Sequence, residues 1–71
     1  MNEISLLSVV ALNEDVGSHH LVRGQVGTVM ERLKPGVYEV EFSDDNGRTY
    51  ASVALRLEQL IVLHHKMVKA A

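Results

Sequence analysis

The chain has no cysteine and no tryptophan, a single proline and only three aromatic residues among its 71. Without thiols there is neither a disulfide nor a thiolate zinc site to staple so short a fold, so its core must come from hydrophobic burial alone, and an intracellular location fits. With Tyr38, Tyr50 and Phe42 as the whole aromatic set, a stacking platform for single-stranded nucleic acid is hard to assemble. A basic surplus is missing too: seven Lys and Arg stand against nine Asp and Glu, for a net charge of -2. That balance disfavours nucleic acid as a partner, because dedicated binders carry a basic face. No run approaches the roughly 18 consecutive apolar residues of a membrane-spanning helix. The amino-terminal stretch Met1 to Leu12 lacks a positive leader region and is broken by Ser5 and Ser8, so it reads as part of the fold. A cytoplasmic protein with no membrane partner is expected.

What is present is an ordinary globular composition, 46% hydrophobic and 23% charged, far from the disordered class. A chain of this length supports one core and buries roughly 60% of the surface its unfolded form exposes. We expect one domain over residues 1–64 and a carboxy-terminal tail over 65–71.

Five short strands can be placed. Leu6 to Leu12 is rich in β-branched residues and is closed by Asn13-Glu14-Asp15, which form turns. Glu14 to Gln25, with Gly17, Ser18, His19, His20 and Gly24, is a long loop with room for one helical turn. Loops of about a dozen residues in compact domains are often functional. Gln25 to Leu33 is the second strand, where Gly24 and Gly27 mark a sharp bend or a close approach of another backbone. Lys34-Pro35-Gly36 stops it as a turn. Val37 to Phe42 alternates most clearly, with Tyr38, Val40 and Phe42 toward the core and Glu39 and Glu41 toward water. Asn46-Gly47 signals a hairpin into a fourth strand, Thr49 to Leu55. Arg56 to Gln59 is too short for an α-helix and suits a 3₁₀ turn, and Leu60 to Leu63 is the fifth strand. The expected fold is therefore all-β, a small five-stranded SH3-like barrel with a 3₁₀ turn before the last strand. An oligonucleotide-binding barrel would need longer strands and a real helix.

The segments Val10-Ala-Leu-Asn-Glu-Asp15, Arg23-Gly-Gln-Val-Gly-Thr-Val29, Gly36-Val-Tyr-Glu-Val-Glu-Phe42, Gly47-Arg-Thr-Tyr50 and Gln59-Leu60 resemble a family of short uncharacterised bacterial domains, catalogued as a domain of unknown function. The resemblance covers roughly residues 6 to 64 and implies an SH3-like fold in a stand-alone bacterial protein, sometimes encoded beside toxin-like genes. It brings no site residues with it. The chain departs from the family pattern at Val16-Gly17-Ser18-His19-His20. Gly24-Gln-Val-Gly-Thr-Val29 is also similar to a glycine-rich strand of ribosomal and transcription-factor barrels, which speaks for fold more than function.

No cluster has the types and spacing of a catalytic site, and no cofactor is expected. Asp15, Ser18, His19 and His20 are neighbours in sequence, but triads assemble through the fold, and the Gly-x-Ser-x-Gly elbow is absent. Gly24-x-x-Gly27 lacks the Lys-Ser or Lys-Thr of a phosphate loop. The histidine pairs His19-His20 and His64-His65 would bind metal only if the fold brought one from each together with a carboxylate, and the solvated state is the commoner one. Arg32, Lys34, Lys66 and Lys69 could gather into a small phosphate-binding patch, although scattered solvated cations are commoner. The strongest candidate is acidic: Glu39 and Glu41 on one strand face, continued by Asp44 and Asp45, with His19 and His20 in the long loop beside them in the candidate set. Such a strip repels phosphate and steers a cationic protein surface toward it. The expected function is a non-enzymatic protein-interaction module docking a basic partner, as an inhibitor or an immunity or antitoxin-type protein would. The alternative is a weak RNA-binding or ribosome-associated barrel.

Overall fold

The computed structural model describes residues 3–64; the expected tail, 65–71, lies outside them. Strands β1 (Val9–Leu12), β2 (Val26–Lys34), β3 (Val37–Ser43), β4 (Thr49–Arg56) and β5 (Leu60–Val62) are joined by connections that include two 3₁₀ turns, Gly17–His19 and Leu57–Gln59. The strands form one antiparallel sheet in the order β4-β3-β2-β1-β5. This is the all-β arrangement expected, with the 3₁₀ turn directly before the last strand. Among the described residues there is no α-helix, and no helix long and apolar enough to cross a membrane.

The sheet curls around a single core. Tyr38, Val40 and Phe42 of β3 are fully buried, as their alternation with two glutamates predicts. Val10 and Leu12 meet them from β1, Val29 from β2, Val53 and Leu55 from β4, and Leu60 from β5. At Gly27, β2 lies tight against β3. A Cβ at that position would lie 2.8 Å from the Glu41 carbonyl oxygen and 2.9 Å from the Phe42 ring, so only glycine fits. Gly24, by contrast, meets nothing within 4 Å and serves the turn before the strand. The β2–β3 turn is Pro35-Gly36, with Gly36 at φ +78°, the left-handed geometry a tight turn demands. Its carbonyl accepts the Leu57 N–H at 2.8 Å, tying that turn to the second 3₁₀ element.

Two local features depart from the expected strands. The first strand begins at Val9 and not at Leu6, because Leu6 and Leu7 form a turn in which Leu7 takes φ +68°. A leucine in that region costs roughly 1–2 kcal/mol, and tertiary bonds hold it there: the Leu7 N–H donates to the Val29 carbonyl at 2.7 Å and the Val29 N–H to the Ser8 carbonyl at 2.9 Å. Upstream, Ile4 is buried beneath the sheet and its N–H donates to the Tyr38 hydroxyl at 3.0 Å. The second feature is in β2, whose register against β3 slips twice, between Val29 and Glu31 and again between Arg32 and Lys34. From Met30 onward every residue of β2 is exposed.

The long first loop is pinned and not open. Val16 and Leu21 bridge it through paired backbone bonds of 2.8 and 3.2 Å, and Leu21 enters the core at 2% exposure. Asp15 accepts the Arg23 N–H at 2.8 Å, and the Gln25 side chain accepts from Val22 N–H while donating to the Tyr50 hydroxyl. Gln59, the one buried polar side chain among the described residues, accepts the Arg56 N–H and donates to the Glu14 carboxylate, locking the second 3₁₀ turn to the start of the first loop.

Candidate interaction face

Residues paired across a ladder share a face, so the register assigns the outer surface of the sheet. On β3 that surface carries Val37, Glu39, Glu41 and Ser43, the residues alternating with the buried Tyr38, Val40 and Phe42. Glu41 is paired with Thr28 on one side and Ser52 on the other, and Glu39 with Glu31 and Ala54. Both β3 glutamates are half-buried by these neighbours, and the Ser52 hydroxyl donates to the Glu39 carboxylate.

The bulge at Met30 decides which side Glu31 faces. In a regular strand Glu31 would share the core side with Val29, two residues earlier. The extra residue turns the strand over, so that Glu31 stands outward, opposite Glu39. Three glutamates therefore share the outer face of two adjacent strands. Like charges directly opposite each other are destabilising by a few tenths of a kcal/mol to about 1 kcal/mol. The second slip places Lys34 opposite Val37, which faces Arg56 across the other ladder. Arg56 is itself paired with Glu58 at 3.6 Å, so the outer face is acidic in its middle with Lys34 as the cation at the end near the Pro35-Gly36 turn.

The other candidates separate from this face. Asp44 serves the β3–β4 hairpin: its Oδ1 accepts the Asn46 and Arg48 N–H groups at 2.9 and 3.0 Å, and its backbone also bonds to Gly47 and Arg48. Asp45 is exposed at the tip of that hairpin. His19 is the last residue of the first 3₁₀ turn, in the β1–β2 connection, and His20 follows it. The His19 ring sits 3.0 Å from the Ser18 hydroxyl, and His20 takes φ +57° to end the turn. Neither makes a hydrogen bond or ion pair with the four acidic candidates among the described residues. Nor does any group of three or more His, Asp or Glu side chains converge there closely enough to hold a metal ion. Arg32, part of the possible phosphate patch, pairs with Glu3 at 3.2 Å; Lys66 and Lys69 lie outside the described residues.

All five strands, and the three outward glutamates with them, fall inside residues 6–62, which match the model of a domain of unknown function, DUF4926. The chain belongs to the DUF4926 family. No curated protein and no solved structure matches the chain. The DUF4926 segment opens at the Leu6–Leu7 turn and closes with β5, so it spans the sheet and its core as one unit. The family description assigns no residue a role.

Proposed function

We propose that this chain is a non-enzymatic protein-interaction module whose outer face on β2 and β3 docks a basic protein surface. One observation carries the reading: a β-bulge brings Glu31 opposite Glu39 and beside Glu41, an arrangement that costs folding energy until a cationic group is placed against it. A partner supplying Lys or Arg relieves that repulsion on binding, and its approach is accelerated by the same field. An inhibitor or immunity-type protein directed at a basic enzyme falls in this class. The RNA-binding alternative is weaker, because phosphates would meet the same carboxylates and Arg32 is already paired.

The test is capture from the native host with the full chain as bait, comparing the parent with Glu39→Lys/Glu41→Lys. The variant should retain at least tenfold less partner, while melting close to the parent, since reversal replaces repulsion of Glu31 with attraction but removes the acceptor of the Ser52 hydroxyl. Equal retention by both baits would refute the acidic face as the docking surface.

A further inference from the structure

The same outer surface continues, strand by strand, onto an apolar sector that the acidic reading does not use. Ala11 of β1 is paired with Val26 of β2 on one side and Ile61 of β5 on the other. These residues alternate with Val10, Leu12 and Leu60 of the core, so the row Val26–Ala11–Ile61 faces outward. Val26 is 51% exposed and Ile61 46%, with Ala11 nearly covered between them. In the next row Val9 is paired with Thr28, and the Leu63 N–H donates to the Val9 carbonyl at 2.9 Å, which brings a further half-buried leucine to that end. Thr28 is the junction. It pairs with Val9 in one ladder and with Glu41 in the other, so the apolar and acidic sectors abut along β2 with one residue between them.

We infer that this composite face takes an amphipathic, cationic polypeptide segment, whose apolar side chains cover Val26, Ala11 and Ile61 while its Lys or Arg side chains reach Glu41, Glu39 and Glu31. The inference rests on the acidic docking surface proposed above and adds the chemistry of the partner. Charge complementarity selects the occupant. An anionic lipid surface or a nucleic acid would meet the three carboxylates at the border of the apolar row. A second copy using the same patch twice would bring its own carboxylates to the same border, because a two-fold interface opposes a patch to itself. A segment with apolar and basic residues side by side satisfies both sectors at once. Neighbouring strands lie roughly 4.8 Å apart, so the step from the Val9 row to Glu41 spans about two strand spacings, within the reach of adjacent side chains on one peptide.

The experiment uses the full chain and two synthetic peptides of equal charge, one built of Leu and Lys and one with every Leu replaced by Ser, titrated while the amide resonances are followed. The Leu/Lys peptide should bind at least tenfold more tightly than the Ser/Lys peptide, and should shift the amides of Val9, Ala11, Val26 and Ile61 together with those of Glu39 and Glu41. Val26→Thr/Ile61→Thr, which keeps β-branching at two exposed positions, should remove the difference between the peptides; Glu39→Lys/Glu41→Lys should abolish binding of both. Should the two peptides bind the parent equally, with shifts confined to the glutamates, the apolar sector is refuted and the acidic face survives. Should the Leu/Lys peptide bind undiminished to the charge-reversed variant, the acidic reading itself falls, and the cationic partner with it. A concentration-dependent dimer of the chain alone, dispersed by Val26→Thr/Ile61→Thr, would make the occupant a second copy and overturn the proposal.

Discussion

Replacing Gly27 with alanine adds one methyl group at the point where β2 lies tight against β3. Its neighbours are a backbone oxygen held in the ladder at 2.8 Å and a fully buried phenylalanine ring at 2.9 Å. Neither is the free end of a flexible side chain, so the strands must separate. Overpacking of this kind costs about 1–3 kcal/mol, and the loss of unfolded-chain entropy returns about 0.4–1 kcal/mol, leaving a net loss of roughly 0–2.6 kcal/mol, centred between about 1 and 2 because the neighbours here are rigid. A domain of this size has a total stability of about 4–10 kcal/mol, and each kcal/mol shifts its Tm by about 4–8 °C. Thermal melts followed by circular dichroism should therefore show Gly27→Ala melting about 5–15 °C below the parent, and Gly27→Val lower still. Two controls separate crowding from other causes. Gly17→Ala meets nothing within 4 Å and should be close to neutral, whereas Gly36→Ala is uncrowded but strained by φ +78° and should lose about 1 kcal/mol. If Gly27→Ala melts at or above the parent, the close approach does not exist and the packing of β2 on Phe42 is wrong.

Leu7→Asn should raise stability by up to about 1 kcal/mol in urea denaturation, because asparagine tolerates the left-handed backbone and the leucine side chain, 68% exposed, contributes little packing; a loss would mean that Leu7 is held by contacts its exposure conceals. Tyr38→Phe leaves the buried Ile4 N–H without its acceptor and should cost about 1–3 kcal/mol by the same measurement, an unchanged midpoint showing that the hydroxyl is dispensable. Asp44→Ala removes the acceptor of two hairpin N–H groups and should cost about 1–2 kcal/mol. Partner capture by the same variant should be unaffected, since that carboxylate is engaged in the turn.

What the sequence discloses about this fold is what has a local period or a local turn. Tyr38, Val40 and Phe42 alternate with glutamates, Pro35-Gly36 announces its own turn, and Gly27 marks a close approach that the chain then makes. What it conceals depends on contacts between distant residues. Nothing around Leu6 and Leu7 signals a left-handed leucine, because the bonds that stabilise it are made with the distant Val29. Ile4 looks like one more residue of an apolar amino terminus until Tyr38 supplies its hydrogen-bond partner. The candidate site divides in the same way. Glu39 and Glu41 follow from strand alternation, and Asp44 looks like their continuation although its carboxylate is consumed by the hairpin. Glu31 was beyond reach, since strict alternation places it inward with Val29, and only the Met30 bulge, set by pairing with β3, turns it out. Val26 and Ile61 become neighbours of a single alanine only once β1 is inserted between their strands.

The pairing of β1 with β5 has a consequence for the order in which the molecule assembles. Strands β2, β3 and β4 follow one another through short turns, so their ladders close small loops. The Val10–Val62 pair joins residues roughly 50 positions apart, and closing so long a loop carries a larger entropic cost before any contact rewards it. Contact order makes the local meander the expected nucleus, and β5, three residues long and paired among the described residues with β1 alone, is expected to dock onto it late. Since Ile61 sits on β5, the apolar sector of the outer face is complete only while that last strand is in place.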